Sequence, residues 1–270
     1  MNDKCIGVFD SGLGGLTCLK EIMNILPRES TVYFGDTARV PYGTRTNEEL
    51  INFAKSDINF LQTHNPKVIV VACGTVSSVA LPVMGEEIKT PIIGVIDSTV
   101  EAAHAATKNK KIGIIATEAS VRSGAYEKRL KSKDPEVETI AVGCPLFVPL
   151  VEAGKTNSEE ARNAAKEYLA PIVAAGVDTL ILGCTHYPLL ADVISEVMGD
   201  SVTLIDSGKA TASCVKKFLE ENNLLAFDAQ ADDSKFYVSG DVHSFKRLAT
   251  AFLEKEIETE VEKINIEKYM

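Results

Sequence analysis

Two cysteines occupy near-identical settings 111 residues apart. Cys73 ends the run Val68-Ile69-Val70-Val71-Ala72 and is followed by Gly74-Thr75. Cys184 ends the run Thr179-Leu180-Ile181-Leu182-Gly183 and is followed by Thr185-His186-Tyr187-Pro188. Short apolar runs rich in branched residues read as buried parallel strands. Each thiol therefore stands where a strand stops and a helix starts, the carboxyl edge at which open α/β sheets bind ligands. Helix N-terminal amides at such an edge favour negative charge and draw a thiol toward thiolate. Two thiols facing one substrate form an acid/base pair. One can take a proton from one face of a carbon while the other returns a proton to the opposite face.

Other groups with chemistry lie at the neighbouring strand ends. The first strand runs into Asp10-Ser11-Gly12-Leu13-Gly14-Gly15, where glycines let the backbone turn sharply and approach a ligand. Asp10 can accept from an ammonium, and Ser11 can donate or accept. A tight turn with a capping Asp or Ser is the plainer reading, and neither a P-loop nor a G-x-G-x-x-G pattern is present. The second strand leads into Gly35-Asp36-Thr37-Ala38-Arg39-Val40-Pro41-Tyr42-Gly43. Amides near Tyr42 and Gly43 can hold a carboxylate, with Asp36 placed to hold or tune a neighbour; a simple Pro-Tyr-Gly turn is the alternative. Thr75 and Thr185 can cap the helices after their cysteines or bind a carboxylate. His186, two residues from Cys184, can tune that thiol or hold its proton, or serve as a structural histidine. Glu152 follows an apolar run and faces either a cleft or solvent at a helix end. Cys5, Cys18, Cys144 and Cys214 read as packing residues.

The elements that must position these groups alternate between short apolar runs and helical periodicity, the signature of βα units. One series of strands is expected at 5–9, 31–34, 68–72 and 92–95, and a second at 111–116, 138–142, 179–182 and 202–205. Helices are expected at 16–25, 47–63 and 158–174. Each series places its cysteine after its third strand, which suggests two similar α/β domains, each a mostly parallel sheet flanked by helices, with the active site in the interdomain cleft. The tail reads as helix, strand, helix and alternating edge strand at 210–224, 235–238, 242–255 and 259–266, returning to the first domain. The expected domains are 1–96 with 208–270, carrying Cys73, and 97–207, carrying Cys184; the crossings near 97 and 207 would be hinges.

Composition narrows the function classes. The chain has 270 residues, 45% of them hydrophobic, and a formal net charge of −10, which suits a soluble globular protein and argues against nucleic-acid binding. The six cysteines contain no C-x-x-C pair, so free thiols and a reducing cytoplasm are expected. The four histidines have no metal-finger spacing, so no metal is expected. No signal peptide or membrane-length apolar run is visible.

On these motifs the chain resembles glutamate racemase, within the cofactor-independent aspartate/glutamate racemases. The resemblance spans the chain: GVFDSGLGGL at Gly7–Leu16, YFGDTARVPYG at Tyr33–Gly43, the cysteine segment Ala72–Ser77, PLVEAG at Pro149–Gly154 and LGCTHYPLL at Leu182–Leu190. It implies interconversion of L- and D-glutamate, supplying D-glutamate for peptidoglycan in the bacterial cytoplasm, with no cofactor, pyridoxal phosphate or metal, and a homodimer as the assembly. It implies that Cys73 acts on the D-isomer and Cys184 on the L-isomer, assisted by Asp10, Asp36, Glu152 and His186. It implies substrate contacts from Asp10 and Ser11 to the amino group and from Pro41, Tyr42, Gly43, Gly74, Thr75, Thr185 and His186 elsewhere. One departure stands out: the family's usual Cys-Asn-Thr reads Cys73-Gly74-Thr75 here, and Val76-Ser77 replaces smaller residues. A donor/acceptor pair is thereby missing, leaving either a closer backbone approach or a bridging water in its place. Racemisation of aspartate or another amino acid, or binding of an amino acid without catalysis, remain as alternatives. A thiol redox protein is disfavoured because no resolving cysteine lies near either thiol in sequence.

Overall fold

Strand-forming runs and amphipathic stretches alternate along the computed structural model as their composition dictates; it describes residues 4–84, 88–226 and 234–270. The first half contains β1 (Ile6–Asp10), α1 (Leu16–Ile25), β2 (Thr31–Gly35), α2 (Asn47–Gln62), β3 (Val68–Val71), α3 (Gly74–Val79) and β4 (Ile92–Gly94). The chain continues through α4 (Val95–Ala106), β5 (Lys111–Ala116), α5 (Glu118–Ser123), α6 (Ala125–Lys133) and β6 (Glu138–Gly143). Next come α7 (Phe147–Glu152), α8 (Glu159–Ala174), β7 (Thr179–Leu182), α9 (Ala191–Met198) and β8 (Thr203–Asp206). The tail supplies α10 (Ser207–Glu221), β9 (Lys235–Val238), α11 (Val242–Leu253) and β10 (Val261–Lys263).

The strands form two wholly parallel sheets, one ordered β10-β9-β2-β1-β3-β4 and the other β6-β5-β7-β8. In each, the first four strands of the series take the same order, second-first-third-fourth, so β1 matches β5 and β3 matches β7. This is the two-domain α/β architecture expected from the sequence. Strands covered on both faces run nearly continuously apolar, and every residue of β1, β2, β3 and β7 is buried, with Asp10, Thr31 and Thr179 at strand ends. The tail extends the first sheet, with β9 pairing to β2 and β10 to β9.

The chain crosses between the sheets after β4 and after β8. Helix α4 buries Val95, Ile96, Val100 and Ala103 with Ile112, Ile114, Ile181 and Ile205 of the second sheet. Helix α10 buries Ala212, Val215 and Leu219 in the same core as Leu16, Leu19 and Ile22 of α1. A capping box between Thr46 and Glu49 starts α2, satisfying two of its free N–H groups. Among the described residues no helix is long and apolar enough to cross a membrane.

Candidate active site

The carboxyl ends of both sheets point into one cavity of about 380 Å3. The first sheet contributes Ser11 after β1, Pro41, Tyr42 and Gly43 after β2, and Cys73, Gly74 and Thr75 after β3. The second contributes Glu152 at the end of α7 and Cys184, Thr185 and His186 after β7. The volume suits a small molecule rather than a polymer. A larger hollow of about 800 Å3 on the other side of α3, lined by Ser77, Leu81, Lys89, Asp97 and Arg129 among others, contains neither cysteine.

Cys73 caps the start of α3, and its thiol donates to Ser11 Oγ at 3.6 Å. Burial and the nearby Asp10 charge push this thiol up to about 12. The helix-terminus expectation is therefore corrected for Cys73: a six-residue helix does not offset desolvation plus an anion. Asp10 lies one layer behind the wall. Its Oδ2 accepts from Gly12 N at 2.9 Å, whereas Oδ1 is buried without a hydrogen-bond partner. Burial raises the Asp10 carboxyl, opposed by His186 and the amides of Gly12, Gly15 and Ser11.

Around Cys184 the local structure also differs from the expected strand-to-helix step. A 3-10 turn, Tyr187–Leu190 with Pro188 near its start, intervenes before α9. His186 Nδ1 lies 3.9 Å from Cys184 Sγ, and its Nε2 lies 3.1 Å from Glu152 Oε1. Burial disfavours the imidazolium, but hydrogen bonds to Cys184 and Glu152 and the charges of Cys184 and Asp10 lift His186 to about 10. Gly14 makes this packing fit: a Cβ there would lie 2.1 Å from Thr185 Oγ1 and 2.5 Å from His186 Nδ1. Neither threonine serves as the expected cap. Thr75 Oγ1 instead pairs with Thr117 Oγ1 across the cleft at 3.0 Å, and the Thr185 carbonyl accepts from Thr17 Oγ1 at 2.9 Å.

Asp36 does not line the cavity. It is fully buried behind the 40–44 loop, accepting from Arg39 Nε, from Ser239 Oγ and from the Tyr42 hydroxyl. Arg39 also donates to Asp57 Oδ1 at 2.7 Å and Ser56 Oγ at 3.0 Å on α2. Burial and the Asp36 charge raise the Asp57 carboxyl well above its ordinary value. This network fixes Tyr42, and with it the loop whose backbone faces the cavity.

Every site residue expected from the sequence except Asp10 and Asp36 thus lines the cavity. Thr117, which follows β5, and Cys144, which follows β6, line it as well. Thr117 was legible in principle, because β5 repeats the place of β1 and Ser11 follows β1. Cys144 is buried as expected for a packing residue, yet it also forms part of the wall. All six cysteines are free thiols. Among the described residues no group of three His, Cys, Asp or Glu side chains is arranged to hold a metal ion.

Known proteins resemble this chain in sequence and fold. The family described as Asp/Glu/Hydantoin racemase matches residues 6–215. A glutamate racemase from Geobacter metallireducens is 46% identical over 250 residues, 93% of each chain. Glutamate racemase 2 from Caldanaerobacter subterraneus is 43% identical over the full length of both chains. A crystal structure of glutamate racemase from Francisella tularensis in complex with D-glutamate superposes with a TM-score of 0.93 at 35% identity, covering 100% of both chains. With a family match over most of its length and relatives at 43–46% identity along nearly the whole chain, the chain belongs to the glutamate racemase family.

Proposed function

We propose that this protein interconverts L- and D-glutamate by proton transfer at the α-carbon between Cys73 and Cys184, without a cofactor. The observation that carries the reading is two cysteines, each after the third strand of an equivalent sheet, lining one small cavity. In one direction Cys184 as thiolate takes the α-proton and the Cys73 thiol gives its proton to the opposite face. In the other direction the roles exchange. His186 Nδ1, 3.9 Å from Cys184 Sγ and hydrogen-bonded through Nε2 to Glu152, is placed to take and return the Cys184 proton, while Ser11 accepts from the Cys73 thiol.

The α-carbon acid is far weaker than a thiol, so developing charge on the carboxylate must be met by fixed donors in a site closed to water. Backbone amides at Gly43, Gly74, Thr75 and Thr185 and the paired hydroxyls of Thr75 and Thr117 supply them, with Pro41 and Tyr42 shaping the wall. Ser11 meets the ammonium, and the buried Asp10 carboxylate behind the wall adds its charge. His186 and Glu152 manage the Cys184 proton, and Asp36 acts through Tyr42. The domains follow the two sheets, 1–96 with 208–270 and 97–207, hinged where the chain crosses between them. D-Glutamate for peptidoglycan, a cytoplasmic location and a homodimer complete the reading, the last checked by light scattering.

Circular dichroism of the protein with pure D-glutamate, then pure L-glutamate, without added cofactor, tests the function. Decay of the signal to zero from both sides is expected. An unchanged signal with glutamate, followed by decay with aspartate, would reassign the substrate.

A further inference from the structure

Gly74 opens α3 directly after Cys73, and Gly183 directly precedes Cys184. Their backbones meet across the cleft: a Cβ built on Gly74 would lie 2.6 Å from the Gly183 carbonyl oxygen. Gly183 has nowhere to retreat. Its N–H donates to Ile115 O at 2.7 Å, and a Cβ built on it would meet Ile115 O at 2.8 Å and the Tyr126 ring at 3.0 Å. Neither glycine has a positive φ, so close approach, not backbone conformation, excludes a side chain. Beside this contact the hydroxyl pairs Thr75–Thr117 at 3.0 Å and Ser78–Ser120 at 3.4 Å join α3 to α5 and the turn before it.

We propose that Gly74 is a positioning residue that sets how closely the two cysteine-bearing turns approach, so that any side chain there wedges the cleft open. The proposal rests on the two-thiol reading of the cavity. Of the two expectations at Gly74, it takes up the closer backbone approach. An asparagine at this position would have to push back the Gly183 carbonyl, 2.6 Å from its Cβ, before its amide could reach a substrate. Moving a Cβ from 2.6 Å to an ordinary 3.4 Å contact opens the turns by about 0.8 Å. A displacement approaching 1 Å at reacting atoms costs up to about a hundredfold in rate.

The test uses Gly74→Ala and Gly74→Asn in the full chain, with two readouts. The first is peptide-resolved alkylation of the unliganded protein by iodoacetamide below each variant's melting transition, with half-buried Cys214 as internal reference. The second is kcat and KM with each enantiomer of glutamate. Alkylation of Cys73 and Cys184 relative to Cys214 is expected to rise about tenfold. Turnover is expected to fall about ten- to a hundredfold in Gly74→Ala and further in Gly74→Asn. Unchanged alkylation ratios, or Gly74→Asn turning over as fast as the parent, would overturn the proposal. A parent protein that leaves glutamate unchanged would instead overturn the racemase reading, while the alkylation ratios would still decide the role of Gly74.

Discussion

Replacing Glu152 by Gln removes a charge 3.1 Å from His186 Nε2 while keeping the side chain's shape. The ring stands at about 10 against an ordinary 6.5. At about 1.4 kcal/mol per pH unit, that gap caps the charged ring's contribution to folding at about 4–5 kcal/mol. Only part of it belongs to Glu152, whose side chain is 43% exposed. Solvent screening limits such a pair to about 1 kcal/mol, or about 0.7 of a pH unit. Glu152→Gln should therefore leave His186 titrating a little above 9, still held up by Cys184 and Asp10. Because the folded value lies above the unfolded one, the stabilisation is complete below about pH 6.5 and is lost as pH rises through about 10. Urea melts should show the parent losing stability across that window. The variant should begin about 1 kcal/mol weaker and finish its loss somewhat earlier. Imidazole NMR of the four histidines reads the midpoint directly. A His186 midpoint near 6.5 in the parent would refute the reasoning, as would a fall of more than about two pH units in the variant. The latter would make the exposed carboxylate, rather than the buried thiol, the dominant partner.

Cys73→Ser or Cys184→Ser should nearly abolish racemisation measured by circular dichroism, while elimination from a glutamate analogue with a leaving group on the β-carbon survives on one enantiomer. Gly14→Ala places a Cβ 2.1 Å from Thr185 Oγ1, so kcat should fall about a hundredfold and stability by about 1–3 kcal/mol. Arg39→Met leaves two buried carboxylates without their cation, which should cost about 3–5 kcal/mol in urea unfolding. The same change should raise KM more than it lowers kcat if, as proposed, the 40–44 loop that lines the cavity binds the substrate rather than reacts with it.

Much of the architecture was legible because the strands are short runs of branched residues. The expected bounds of β5, β7, β9 and α1 coincide with the observed ones. Short helices such as α5 and α7, of six residues each, span fewer than two turns and carry too little periodicity to stand out. The same limit hid the 3-10 turn after Cys184. Most of the cavity wall was legible because motif residues sit at strand ends. What was not legible depends on contacts between distant segments. Asp36 looks like a loop acid until Arg39, Asp57 and Ser239 close around it. The meetings of Gly14 with Thr185 and of Gly74 with Gly183 join the two sheets, and no periodicity within one element reports them.

The two thiols have unequal neighbours, Ser11 on one side and the His186–Glu152 pair on the other. Enantiomers in water have equal free energies, so the equilibrium constant for the reaction is unity. The Haldane relation then requires kcat/KM to be identical in both directions, however lopsided the site. The asymmetry can surface only as a compensating split, with one enantiomer bound more tightly and turned over more slowly. Any substitution near either thiol must obey the same constraint, so a variant reported to favour one direction in kcat/KM would signal an assay artefact rather than a new preference.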